Sequence, residues 1–345
     1  MTDRARLGSI VAFAAAAFGC VPDIEDDTSR IEGPRVLALR SEPAESAEGG
    51  QVTVTALAAT PDGAPRDVDF VLCTDRKPLT ELGPVSPRCI ESRDGEPDVL
   101  TPLGTGELAT LTVPAEACTL FGPERPDPKP GEPSPRPVDP DLTGGFYQPV
   151  IAWLGGDATL GAVRLACPLS GAPRDATVDF NRRYRPNANP SVLALERVRG
   201  DGSGQVLSAR GAPLRVAPGE RLRLRAVVPP CPFEPVCGDG ICGALEDRVT
   251  CREDCDEPKG CGGAERYAIY DPSARAVRDA TESLVASWYA TSGELREERT
   301  DPIDPEVMEN DWTAPLQPGS VRLWVVVRDD RGGSDWRSGI VEVTE

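Results

Sequence analysis

The sequence contains no histidine. That removes Ser/His and Cys/His nucleophile pairs, the zinc-binding helix motif built on two histidines and the commonest general base near neutral pH, so catalysis would rest on carboxylates alone. Aromatic residues make up only 5% of the chain, and no heptad pattern is sustained. With 36 prolines and 34 glycines, this composition fits short strands and turns far better than a helical bundle, so the expected class is all-β. No apolar run approaches the eighteen or so residues that cross a bilayer as a helix. Positive charge is also short: 37 Lys and Arg against 56 Asp and Glu leave a net charge of −19. Such a chain repels nucleic acid, which is therefore not an expected partner.

What is present begins with Arg4 and Arg6 ahead of a twelve-residue apolar run, Leu7 to Phe18. As a helix it would span roughly 18 Å, short of a hydrocarbon core of roughly 30 Å, so residues 1–19 read as a signal peptide. The run closes with Ala17, Phe18, Gly19 and Cys20, which resembles the bacterial lipoprotein box. The resemblance implies that Cys20 is acylated and becomes the mature N-terminus, giving membrane attachment through palmitate-type chains. Val21 in the next position, where Asp would imply retention at the inner membrane, implies the outer membrane. The competing reading is an ordinary secretory signal with a chance cysteine. If Cys20 carries lipid, the other ten cysteines can form five disulfides with none left over: Cys73, Cys89, Cys118, Cys167, Cys231, Cys237, Cys242, Cys251, Cys255 and Cys261. That parity fits an oxidising, exported location.

Residues 20–33, with Asp23, Glu25, Asp26 and Asp27, read as an acidic, solvated tether. An internal repeat follows. Pro34 to Leu39 is echoed by Pro190 to Leu195, Gln51 to Ala56 by Arg221 to Ala226, and Val150 to Leu154 by Val321 to Val325. Period-two alternation between turns marks half-buried antiparallel strands. Three echoes mean two copies of one fold, the second with an insertion near 200–213. Each copy reads as a β-sandwich, over 34–185 and 186–345, joined at Pro186 to Pro190. Residues 122–141 hold eight prolines and read as an extended, solvated excursion from the first sandwich, with polyproline recognition the alternative. A second excursion over 230–263, with six cysteines, leaves and re-enters the second sandwich between its second and third strands.

Ser287, Trp288 and Tyr289, then Trp312 to Pro315, Gly319, and Val325 to Asp329 resemble the strand C and strand F region of PKD-like and other immunoglobulin-like domains on bacterial surface proteins. The resemblance implies two tandem immunoglobulin-like sandwiches and a buried Trp288, and says almost nothing about function. Cys237-Gly238-Asp239-Gly240-Ile241-Cys242, with Glu246, Asp247, Cys251, Asp254 and Cys255, resembles a small cysteine-rich repeat of secreted bacterial proteins. Zinc is the rival use of these cysteines, but their spacing, the two further cysteines and the export signal favour disulfides. Such a module has too few apolar residues for a core and would fold on its bridges. Pairing within each group is expected, with Cys73–Cys89 and Cys118–Cys167 favoured in the first sandwich. Drawing Asp239, Glu246, Asp247 and Asp254 together would suit calcium, the alternative being four solvated acids.

With 56 acids, no carboxylate pair is nominated for catalysis. If Val321, Leu323, Val325 and Val327 face the core, Trp324 faces outward with Arg322 and Arg328, where it could stack on sugars or lie buried beneath a neighbouring domain or beneath the cysteine module. The hairpin Asp329 to Asp335, with Arg331 and with Trp336 just beyond, is expected beside the cysteine excursion as a contact surface. These features describe a lipid-anchored cell-surface protein with a structural, adhesive or recognition role towards a surface protein or glycan. The rivals are an acidic hydrolase of polysaccharide or an accessory subunit of an envelope assembly.

Overall fold

A computed structural model describes residues 28–64, 66–76, 85–91, 98–123, 142–232, 234–243, 245–256, 259–303 and 307–345. The signal peptide, Cys20, the first part of the tether and the proline-rich run from 124 onward lie outside the described residues.

In the N-terminal half the strands are β1 (Arg35–Glu42), β2 (Glu45–Ser46), β3 (Gln51–Ala59), β4 (Val68–Cys73), β5 (Leu100–Gly106), β6 (Leu108–Thr112), β7 (Tyr147–Leu154) and β8 (Asp157–Leu165). They form two sheets, β1-β3-β6 and β2-β8-β7-β4-β5. The C-terminal half follows with β9 (Ala194–Val198), β10 (Gly204–Val206), β11 (Leu214–Val216), β12 (Arg221–Val227), β13 (Arg266–Asp271), β14 (Ala276–Thr281), β15 (Leu284–Ala290), β16 (Glu294–Leu295), β17 (Arg299–Thr300), β18 (Val307–Thr313), β19 (Gly319–Asp329) and β20 (Ser334–Val343). Here β10-β9-β12-β18-β16 opposes β11-β20-β19-β15-β17. In each half the first strand changes sheets, its continuation lying parallel to the last strand, as β2 does on β8 and β11 on β20. The remaining order is the ABE and GFC order of an immunoglobulin-like sandwich. The chain is all-β in architecture, two such sandwiches in tandem. Among the described residues three α-helices accompany them: α1 (Ala117–Leu120), α2 (Arg174–Arg183) and α3 (Arg252–Cys255).

The sequence echoes occupy equivalent places. Val52 and Val54 face the first core as Leu222, Leu224 and Ala226 face the second, and Val150, Ala152 and Leu154 match Val321, Leu323 and Val325. The opening echo departs from strict alternation, because a register shift between Val36 and Ala38 turns Val36 and Leu39 to the same core. The extra stretch near 200–213 contains β10, which folds back on β9. Trp288 is fully buried, and its Nε1 donates to Thr300 Oγ1 at 2.8 Å.

Strands β7 and β19 are apolar on both faces, and each needs a second cover. On β7, Ile151 and Trp153 are roofed by Val85, Cys89 and Leu100, with Cys73 bridged to Cys89. On β19 the cover is the first sandwich itself. Trp324 and Val326 pack with Leu37, Ala38, Ala59 and Ile31, flanked by Leu57, Tyr289 and Trp336. Polar bonds rim this joint: Arg328 Nη2 donates to Leu37 O at 2.5 Å, Ser334 Oγ to Leu39 O at 2.9 Å, and Arg40 Nη1 to Asp335 Oδ1 at 2.8 Å. Leu193, the counterpart of Leu37, has no such partner and is 58% exposed.

Two expectations need correction. The end of the tether is not solvated: Ile31 N donates to Ala290 O at 2.9 Å, Ala290 N donates to Ser29 O at 3.0 Å, and the Ile31 side chain is buried in the joint. An apolar residue in an acidic stretch thus lays residues 29–31 against β15. The excursion between β12 and β15 is also longer than the cysteine-rich segment, because the β13–β14 hairpin follows it and packs on α2.

Because Trp324 fills the centre of the joint, Trp324→Ala should lower unfolding stability by about 3 to 5 kcal/mol. Urea unfolding of the full chain measures this, and Trp153→Ala, beneath the other cover, serves as the within-sandwich comparison.

Candidate functional site

The cysteine module is closed at its neck by Cys231–Cys261 and braced by Cys237–Cys251 and Cys242–Cys255. The first sandwich has Cys73–Cys89 and Cys118–Cys167. All ten cysteines pair within their own group, and with every sulfur of the module oxidised no thiolate is left for zinc. Five disulfides mark a protein of an oxidising, exported compartment.

The acids of the module cap its own backbone. Gly238 and Gly240 adopt φ of +97° and +84°, which turns both N–H groups onto the buried Asp254 at 2.5 and 2.9 Å. Glu246 Oε2 accepts from Gly243 N at 2.7 Å, and Asp239 Oδ1 accepts from Ile241 N at 2.8 Å. Asp247 Oδ1 accepts from Val249 N and Thr250 N, both at 2.8 Å. Burial opposes ionisation of Asp247, but those N–H groups outweigh it and hold the carboxyl below its usual range. The four acids considered for calcium are therefore not gathered round one point. Glu246 and Asp254 approach each other beside Cys251, whose sulfur is in a disulfide, and neither Asp239 nor Asp247 joins them.

The module's carbonyls are also taken. Arg185, just after α2 in the segment between the sandwiches, donates from Nε to Cys242 O at 3.0 Å, from Nη2 to Gly243 O at 2.7 Å, and from Nη2 to Glu246 O. This guanidinium stands where a cation would draw backbone oxygens together. Between module and hairpin lies a cavity of about 220 Å³, lined by Arg185, Ile241, Lys259, Glu265 and Arg266 among others.

A second cluster lies where module, hairpin and both sandwiches meet. The turn after β19 is built on Asp329, whose Oδ1 accepts from Arg331 N at 2.9 Å and Gly333 N at 2.7 Å, and this aims Arg331 inward. The Arg331 side chain is 1% exposed. Its Nη1 donates to Glu282 Oε1 at 3.0 Å, its Nη2 donates to Arg185 O at 2.7 Å and stands 3.5 Å from Glu45 Oε2, and its guanidinium lies 4.3 Å from the Tyr267 ring centroid. Glu45 Oε2 also accepts from Asn187 N at 2.7 Å and lies 3.3 Å from Arg164 Nε. Burial works against the charge of Arg331, but Glu282 and Glu45 outweigh it and keep the guanidinium charged. Burial pushes the Asp329 carboxyl up, against the N–H groups of Gly333 and Arg331.

Trp324 thus lies beneath the neighbouring sandwich, one of its expected placements, and Arg331 and Trp336 do not form the expected exposed contact surface. Trp324 and Arg331 are buried and Trp336 half-buried, all within the joint, because the outward face of β19 is covered by the first sandwich and the turn after it by the hairpin. Reading the sequence alone misses Glu45, Arg164, Arg185, Glu265 and Glu282. The one available signal is a charge set among apolar neighbours, as at Arg164 between Val163 and Leu165.

No family model matches the chain, and no curated protein does. Among solved structures, the D0–D1 domain of intimin is 10% identical, with 90% of this chain and 99% of that chain covered at a TM-score of 0.21. The Yersinia pseudotuberculosis adhesin InvE is 12% identical over 89% and 58% at 0.21. E. coli alpha-2-macroglobulin is 12% identical over 92% and 17% at 0.22. At such scores the fold assignment rests on the strand order given above.

Arg331→Met keeps the bulk of the side chain and strands two buried carboxylates, so a stability loss of about 3 to 5 kcal/mol is expected in urea unfolding. A loss below about 1 kcal/mol would show that the cluster does not hold the joint.

Proposed function

We propose that this chain is a lipid-anchored structural, adhesive or recognition module of the cell surface with no catalysis of its own. The observation that carries this reading is the fusion of two sandwiches through a largely buried joint, the first braced by two disulfides and the second carrying a module braced by three, with buried charge committed to holding elements together. That is what a rigid exported spacer or presenting body requires. The resemblance of the segment ending in Cys20 to a lipoprotein box supports a lipid anchor, and Val21 in the next position supports the outer membrane. The contact surface we assign to the exposed side of the cysteine module, where Val236, Leu245 and Val249 are 55%, 59% and 76% exposed amid acids, towards a surface protein or glycan.

Cys20→Ser should abolish metabolic lipid labelling and move the protein from the detergent phase to the aqueous phase on partitioning. Retention in the detergent phase would overturn the anchor. Saturable binding to a glycan array or to envelope proteins without release of reducing sugar supports the module, and turnover would overturn it. Calcium at millimolar concentration should leave the melting temperature of the full chain unchanged, because Arg185 already holds the module's carbonyls.

A further inference from the structure

In the joint, the first sandwich lays the outward side of its β1–β3 pair on β19. Leu37, Ala38, Leu57 and Ala59 are the apolar side chains of that pair, set against Trp324 and Val326. The second sandwich repeats the pair in the same register. Across β1 and β3, Ala38 pairs with Leu57, Leu39 with Ala56 and Arg40 with Thr55. Across β9 and β12, Ala194 pairs with Val227, Leu195 with Ala226 and Glu196 with Arg225. Even the break in alternation recurs: Val192 and Leu195 both turn to the second core, as Val36 and Leu39 turn to the first. Leu193 and Ala194 are left on the outward side, where the first copy has Leu37 and Ala38.

The two faces end differently. Leu37, Ala38 and Ala59 are buried, whereas Leu193 is exposed, and Ala194, Val227 and Val307, which pairs with Val227 on β18, are half-buried. Val206 of β10, also exposed, flanks them beside Glu196. The neck of the cysteine module reaches this end of the sheet, where Ser191 N donates to Gly262 O at 2.8 Å, yet it leaves Leu193 open. Neighbouring apolar side chains on an exposed sheet face mark a contact surface, where isolated ones would not.

We propose that this face is a docking surface for an immunoglobulin-like sandwich of another protein, seated through the apolar outer face of its central strand as β19 is seated on the first sandwich. The first sandwich is the template, since the same outward side in the same register already binds such a strand within this chain. Interfaces of this head-to-tail kind use unlike surfaces on the two bodies, so one body can carry a used half and another a free one. A second copy of this chain does not fit, because its β19 is covered by its own first sandwich and its β7 by the loop tied through Cys73–Cys89. The rim charge agrees. Arg40 donates to Asp335 in the joint, and Glu196 holds the place of Arg40 on the second sandwich. Its neighbours Arg225 and Arg197 are paired with Glu309 at 2.8 Å and Glu220 at 2.9 Å. An acid in the position of Asp335 would meet Glu196 with like charge, so the partner carries Lys or Arg there. This surface uses none of Val236, Leu245 and Val249 and does not rest on the module as a contact.

The test uses the full chain in its native cells, with the photo-reactive residue p-benzoylphenylalanine replacing Leu193 in one strain and Val206 in another. Irradiation should give the same protein adduct in both, with the cross-linked peptide of the second protein lying in the central strand of a β-sandwich and bearing a tryptophan or other large apolar residue on the side away from that sandwich's core. Purified, that protein should bind the purified full chain saturably. Leu193→Asp should weaken binding at least about ten-fold with the melting temperature unchanged, because the side chain is exposed, and Glu196→Arg should weaken it further as salt is lowered. Leu316→Asp, just beyond the opposite end of β18, should leave binding as it is. Binding through the cysteine module instead would be lost on Val249→Asp and kept on Leu193→Asp, which reads the two surfaces apart. No adduct, an adduct to a second copy of this chain, to lipid or to glycan, a cross-linked peptide outside such a strand, or binding that survives Leu193→Asp would overturn the proposal.

Discussion

A guanidinium taken out of water must find partners for its N–H groups and its charge, and Arg331 finds them on separate parts of the chain. Glu45 belongs to the first sandwich, the Arg185 carbonyl to the segment between the sandwiches, and Glu282 and Tyr267 to the inserted hairpin. The turn that presents Arg331 is set by Asp329. If any of these elements withdraws, a charge is left buried without its counterpart. The cluster is therefore less a source of net stability than a specification of geometry: one relative placement of sandwiches and hairpin satisfies it, and displaced ones do not. The apolar patch round Trp324 supplies the non-directional attraction that the charges orient.

The same division of labour explains why two copies of one fold look so unlike each other on the surface. Strands β7 and β19 both carry apolar side chains on the face turned away from their own core. In the first copy that face is roofed locally, through a loop tied by Cys73–Cys89; in the second it is roofed by the first copy. Arg185 extends the pattern to the cysteine module, which has little apolar interior. It is held by disulfides within and from outside by Arg185, which gathers three of its carbonyls, and by Arg182, which pairs with Asp247.

Local periodicity made most of this fold legible. Alternation in Gln51 to Ala56 and Arg221 to Ala226, bounded by glycine turns, carried both sandwiches and their pairing as repeats, and flanking strands located the cysteine excursion. Strands with polar outward faces are harder to read: Val307–Thr313 carries the half-buried Glu309 and Asp311 on its outward side, and the hairpin at 266–281 mixes charge with turn residues. The bulge at Val36 and Ala38 shifts phase within a strand, which strict alternation cannot anticipate. Alternation told that Trp324 leaves its own core but not what covers it, because the cover lies more than two hundred residues away in the chain. The buried charges were illegible for the same reason. Glu45, Arg164, Arg185, Glu282 and Arg331 sit on separate elements, and nothing in the neighbourhood of any one of them names the others.

The short strip at Thr28 to Ile31 changes how the molecule would carry tension. It is sequentially the lead-in to the first sandwich, yet its backbone is bonded to Ala290 of the second, and Thr28 donates to the Glu298 carboxylate at 3.1 and 2.8 Å. A pull on the chain ahead of residue 28 is therefore delivered to the second sandwich before it reaches β1. The first sandwich is shunted out of the load path and works as a brace beside it. A two-domain chain that by its order would stretch as two links in series is wired instead so that its second link bears the force first.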